Sequence, residues 1–79
     1  MPYLQYILYG TANCHLCENA INVIQLTNAD IDLLVIDIMD NHELYTRYER
    51  IIPVLKCVQT GVEIQWPFQH NSLMQFFNL

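Results

Sequence analysis

A chain of 79 residues has room for one domain. Domains of this size bury only about 60% of the surface that their unfolded chains expose, and the 53% apolar content supplies a core without staples; three cysteines are too few for a disulfide-built scaffold. The net charge of −5, with every Lys and Arg lying between Arg47 and Lys56, leaves no basic stripe for phosphate or for an anionic bilayer, so nucleic-acid and membrane partners are excluded.

Residues 1–10 are apolar but carry no basic leader segment, and the run is too short to cross a bilayer. They read as a strand over residues 3–9 ending at Gly10, and the expected compartment is the cytoplasm. Residues 11–13 form a loop, with Asn13 as N-cap of a helix that begins at Cys14. Leu16, Cys17, Ala20, Ile21 and Ile24 recur at helical spacing and make its apolar face.

Residues 28–30 turn the chain into a second apolar strand over residues 31–38. Strand, crossover helix and strand within about 30 residues make a right-handed, parallel βαβ unit. Asp40 with Glu43 three residues on resembles a capping box opening a second helix to about Arg50, with Leu44, Tyr45 and Tyr48 on its inner face. Pro53 opens a strand over residues 54–58, Thr60 and Gly61 turn it, and residues 62–65 return antiparallel. Trp66-Pro67 ends that strand. Asn71 caps a last helix whose Leu73, Phe76 and Phe77 point inward. The order β-α-β-α-β-β-α predicts a single α/β domain over residues 1–79, a four-stranded mixed sheet flanked by three helices.

Three stretches then carry a family resemblance: the run from Tyr9 through Cys14-His15-Leu16-Cys17 after the first strand, Ile52-Pro53-Val54 opening the third, and Gly61 in the hairpin. With this element order, the chain resembles the glutaredoxin-like members of the thioredoxin superfamily over essentially its whole length. The resemblance implies a thioredoxin-like fold and a thiol–disulfide oxidoreductase without bound cofactor. Its expected partners are protein or small-molecule disulfides and a reductant of unspecified identity, and the chain is expected to be a monomer.

The chemistry fits the residues. Thiol–disulfide exchange needs a thiolate, and a helix N-terminus lowers a thiol's pKa because unpaired backbone N–H groups favour negative charge there. Cys14 would stand at that terminus as nucleophile. Cys17, on the same helix face about 5–6 Å away, would resolve the mixed disulfide. His15 beside Cys14 would support the thiolate when protonated, or simply be solvated. His15, Leu16, Ile52 and Pro53 are the expected substrate contacts. In this superfamily the matching proline is cis, which would turn the backbone N–H and C=O of Ile52 outward to pair with a substrate strand.

Two departures weigh against glutathione as co-substrate: residues 10–13 hold no Lys before the motif, and Gly61 is followed by neither a second Gly nor an acidic pair. Arg47 and Arg50 remain as cations for a carboxylate, or as ordinary exposed charges. Cys57 reads as an apolar filler on the face of Leu55. Two alternatives stand beside the enzyme. One is a zinc module using Cys14, Cys17 and Cys57 with His15, His42 or His70. The other is a thioredoxin-fold adaptor with little catalysis. The tyrosines are expected to be core residues with wet hydroxyls, and His42 and His70 to sit at helix starts.

Overall fold

The computed structural model describes residues 5–77; the start of the expected first strand, at Tyr3 and Leu4, lies outside them. Along the chain run β1 (Gln5–Gly10), α1 (His15–Leu26), β2 (Asp32–Asp37), α2 (His42–Tyr48), β3 (Val54–Cys57), β4 (Glu63–Gln65) and α3 (His70–Phe76). The strands lie in the order β2-β1-β3-β4. β1 pairs parallel with β2 and antiparallel with β3, and β3 pairs antiparallel with β4. This is the expected α/β order and mixed sheet.

Central β1 explains the layers. Alternate side chains of a strand face opposite ways, so Tyr6 and Leu8 join Ala20, Ile24, Leu55, Leu73 and Phe77 in a core with α1 and α3. Tyr9 faces the other way, with Ile38, Tyr48 and Val54 beside α2. Its ring stacks on Tyr48 at 4.3 Å between centroids. The Tyr48 hydroxyl donates to Glu63 Oε2 (2.5 Å), which ties α2 to the hairpin. Arg47 adds to that tie, its guanidinium 3.9 Å from Glu63 and 5.4 Å from the centre of the Tyr48 ring.

Helix ends differ from expectation, and each difference has a local cause. Asn13 is not the cap of α1; it is left-handed at φ 62°, a conformation asparagine tolerates, and Cys14 is the N-cap. Asp40 closes a 3₁₀ turn over Ile38–Asp40, and Asn41 caps α2, its side chain accepting from Leu44 N–H (3.1 Å). α2 ends at Tyr48 rather than near Arg50, and Tyr45 is 40% exposed rather than inward. Gln69, not Asn71, caps α3 through a reciprocal pair with Ser72. β3 stops at Cys57 because Gly61 N–H returns to the Cys57 carbonyl (2.8 Å), with Gly61 at φ 76° where an L side chain would be strained.

Gly10, at the end of β1, has a different reason to lack a side chain. A β carbon there would sit 2.9 Å from Cys17 Sγ and 3.3 Å from Cys17 Cβ. The first turn of α1 therefore rests directly on the strand's backbone.

Two outcomes follow from this packing. Gly10→Ala must push α1 off the strand and should cost about 1–3 kcal/mol, the usual scale of overpacking, read as a lower urea midpoint. Tyr48→Phe keeps the ring but leaves the Glu63 carboxylate short of a partner, and should cost about 1–2 kcal/mol at neutral pH. Burial, then the hydrogen bond to Glu63, raise the Tyr48 hydroxyl above its ordinary 10.0. The folded chain thus keeps a proton that the unfolded chain loses, so stability is full below about pH 10 and falls as pH rises past it. That alkaline loss should be smaller in Tyr48→Phe.

Candidate functional site

The C-terminal end of β1 gathers the expected site. From Gly10 the chain enters the loop at residues 11–13, and left-handed Asn13 turns it into α1. Cys14 is half-buried, in extended conformation at φ −94°, and its Sγ accepts a hydrogen bond from Cys17 N–H (3.2 Å). That is the position of a capping side chain, with sulfur doing what a Ser or Asp oxygen usually does. Cys17, one turn on, is only 6% exposed. The two are disulfide-bonded, with Cα atoms 5.2 Å apart.

His15 and Leu16 lie between them and are both exposed. Leu16, at 46% exposure, therefore leaves the apolar face on which the helical spacing placed it, because that face is completed by Cys17, Ala20 and Ile24.

Pro53 reaches the same end of the sheet through the register Tyr9↔Val54. The Ile52–Pro53 and Trp66–Pro67 bonds are both cis. Pro53 is buried, and its carbonyl accepts from Trp66 N–H (3.0 Å). One expectation is corrected here. The Ile52 N–H does not face outward: it donates to the Tyr48 carbonyl (3.1 Å) at the end of α2, which also accepts from the Ile51 N–H (2.9 Å). The Ile52 carbonyl accepts no hydrogen bond from the described residues. Pairing with a substrate strand would thus have one backbone group to use at Ile52, not two.

The remaining candidates fall outside this cluster. Arg47 is held at Glu63, and Arg50 lies 3.8 Å from Glu49. His42 and His70 are the first residues of α2 and α3. Cys57 is buried among Tyr6, Leu55 and Phe77, with its thiol donating to Gln59 Oε1 (3.8 Å). Among the described residues no three His, Cys, Asp or Glu side chains converge as metal ligands, so Cys57 does not join Cys14 and Cys17 in the arrangement the zinc reading required.

Sequence reasoning missed two neighbours of the disulfide. Gly10 was legible only as the end of a strand, although a small residue where a helix must approach a sheet closely is a known signal. Asp37 enters through the parallel pairing Gly10↔Asp37. With Glu18 it lines a cavity of about 330 Å³ that also takes in Cys14 and Cys17. No spacing in the chain announces that juxtaposition. No helix among the described residues is long and apolar enough to cross a membrane.

Comparison with known proteins agrees with this architecture. A structural-genomics target protein from X. campestris is 29% identical, with a TM-score of 0.84 over 92% of this chain and 95% of that one. Protein Ne2328 from Nitrosomonas europaea is 25% identical, with a TM-score of 0.80 over 96% and 93%. Thioredoxin 1 from Thermosipho africanus, 20% identical with a TM-score of 0.57 over 94% and 86%, shares the fold. Curated proteins give no match. The family model of the glutaredoxin-like domain (DUF836) matches residues 5–78. The chain therefore belongs to that glutaredoxin-like family.

Proposed function

We propose that the protein is a thiol–disulfide oxidoreductase working through Cys14 and Cys17. The observation that carries this reading is the position of the pair: Cys14 caps α1 and is accessible, and Cys17 is buried one turn behind it. Unpaired N–H groups of the first turn favour a thiolate at Cys14, and the Cys17 N–H already points at its sulfur.

In the reducing direction the Cys14 thiolate attacks one sulfur of a substrate disulfide. A mixed disulfide forms, and the other substrate sulfur leaves as a thiolate that takes up a proton. Cys17, deprotonated, then attacks Cys14 Sγ. The Cys14–Cys17 disulfide forms and the second substrate thiol is released, so two electrons have passed to the substrate. A thiol reductant must return the pair to the dithiol. His15 and Leu16, both exposed beside Cys14, and the Ile52 carbonyl beside Pro53 are the proposed substrate contacts.

Cys14→Ser should abolish disulfide reduction. Cys17→Ser should instead accumulate a mixed disulfide on Cys14, seen by intact-mass spectrometry and released by dithiothreitol. Retention of most activity by Cys14→Ser would end this assignment.

Glutathione is proposed to be a poor co-substrate. Its carboxylates would approach Glu18 in the first turn, and Arg47 is engaged at Glu63. Missing even one charge-assisted hydrogen bond, worth about 1.5–3 kcal/mol, weakens binding by about tenfold or more. Amide chemical shifts of Cys17→Ser during a titration with reduced glutathione should show no saturation in the micromolar range.

A further inference from the structure

The cavity beside the disulfide opens on the β2 flank of β1, across the strand from Pro53. Its origin lies in the topology. β2 is an edge strand, and Val35 lies two residues from Leu33, which packs into the core under α1. Both therefore share the α1 face of the sheet. Yet α1 is seated on β1 through Gly10 and leaves Val35 53% exposed. The space left between α1 and the sheet edge has an apolar floor and wall in Val35 and Ile21, and Cys14 and Cys17 close one end.

Two carboxylates, Glu18 and Asp37, line the same cavity. Asp37 spends one oxygen on the Met39 N–H (2.9 Å); its other oxygen makes no hydrogen bond or ion pair with the described residues and reaches solvent. No Lys or Arg lines the cavity, and the first 46 residues of the chain contain none. An apolar slot with uncompensated negative charge fits one kind of side chain best. Lysine and arginine lay an aliphatic stem along apolar surface while keeping a cationic head at a polar rim.

We infer that this cavity is a specificity pocket for a Lys or Arg side chain next to the disulfide-bonded cysteine of a polypeptide substrate. The inference rests on the proposed exchange chemistry and names its substrate class: basic polypeptide disulfides. The stem lies against Ile21 and Val35, the cation meets Glu18 and Asp37, and the neighbouring substrate sulfur is thereby held at Cys14.

The test uses reduced protein in single turnovers with three peptides, each a mixed disulfide with 2-thiopyridine, whose cysteine is flanked by Lys, Ala or Glu. Each rate is divided by that of 2-mercaptoethanol with the same peptide, which removes intrinsic reactivity. The Lys peptide should react at least about fivefold faster than the Glu peptide at low salt, the scale of one or two surface charge pairs. The ratio should shrink as salt screens them.

Glu18→Gln combined with Asp37→Asn should bring the ratio toward one; the amide oxygen introduced by the second substitution still accepts from Met39 N–H. Asp30→Asn with Asp32→Asn removes the same charge from residues that do not line the cavity, and should keep the preference. Equal rates for the three peptides, or equal loss of preference in both double variants, would overturn the pocket while leaving the exchange chemistry standing. No reaction above that of Cys14→Ser with any peptide would overturn both.

Discussion

The absence of a side chain at Gly10 governs the whole site end of this molecule. A β carbon there would press on Cys17 at 2.9 Å, so the glycine sets how deeply the first turn of α1 can settle on the central strand. That depth places Cys17 in the core and leaves Cys14 at the rim. The same strand end is paired on both sides, Gly10 with Asp37 and Tyr9 with Val54. Pro53 therefore arrives on one flank of the disulfide and Asp37 on the other. One close approach thus positions the thiols, the proline and the carboxylate together. The energetic reason is tight packing: interiors are nearly as dense as organic crystals and have no slack to absorb a methyl group.

The electrostatics of the site divide by range. What favours an anion at Cys14 is local, namely the backbone N–H groups of the first turn, whose influence fades within that turn. What surrounds it is acidic: Glu18 in the first turn, Asp37 at the end of β2 and no Lys or Arg in the first 46 residues. A Lys ahead of the motif would have both effects pulling the same way. Here they are opposed, and the two ranges let them coexist. A thiolate can be stabilised by dipoles a few ångströms away while an approaching anion still feels net repulsion. The proposed selectivity for charge is in this way separated from the proposed reactivity of the sulfur.

Much of this was legible in the chain because periodicity and order carry far. The alternation of strands and helices, the turn at Gly61, the motif after β1 and the proline before β3 all stood in the sequence, and the sheet assembled from them as expected. Helix ends were less legible. Asn13, Asp40 and Asn71 each look like caps, yet Cys14, Asn41 and Gln69 hold those positions. Capping depends on where the neighbouring loop leaves the backbone, and several polar residues in a row compete for it. Spacing alone turns Tyr45 inward; a helix of seven residues has a narrow buried face, and Tyr48 and Leu44 complete it. The outward turn of the Ile52 backbone failed for a different reason. Its N–H folds back onto the Tyr48 carbonyl, which the Ile51 N–H also reaches, an arrangement set by where α2 stops. The acidic cavity could not be read at all, since it arises from residues on β1, α1 and β2 that meet only after folding.

The three cysteines show why a favourable pKa is not by itself a nucleophile. Burial pushes the Cys57 thiol up, but hydrogen bonds from Thr60, from the Gln59 backbone and from the Tyr6 hydroxyl outweigh it, so its pKa falls below the ordinary 9.0. The counterpart appears at Tyr6, raised by burial and then by Cys57 itself. On acidity alone Cys57 would look activated. It is 6% exposed, however, on the core face of β3 beside Tyr6 and Phe77, and reactivity requires access as well as ionisation. Any sulfur of a second polypeptide would have to displace aromatic rings to reach it. Cys14 has the complementary pair of properties: an N-terminal first turn to stabilise its anion, and a half-buried position at the mouth of a cavity. The hydrogen bonds that acidify Cys57 therefore serve the hairpin, which they join to β1, and the proposed exchange chemistry stays with the pair on α1.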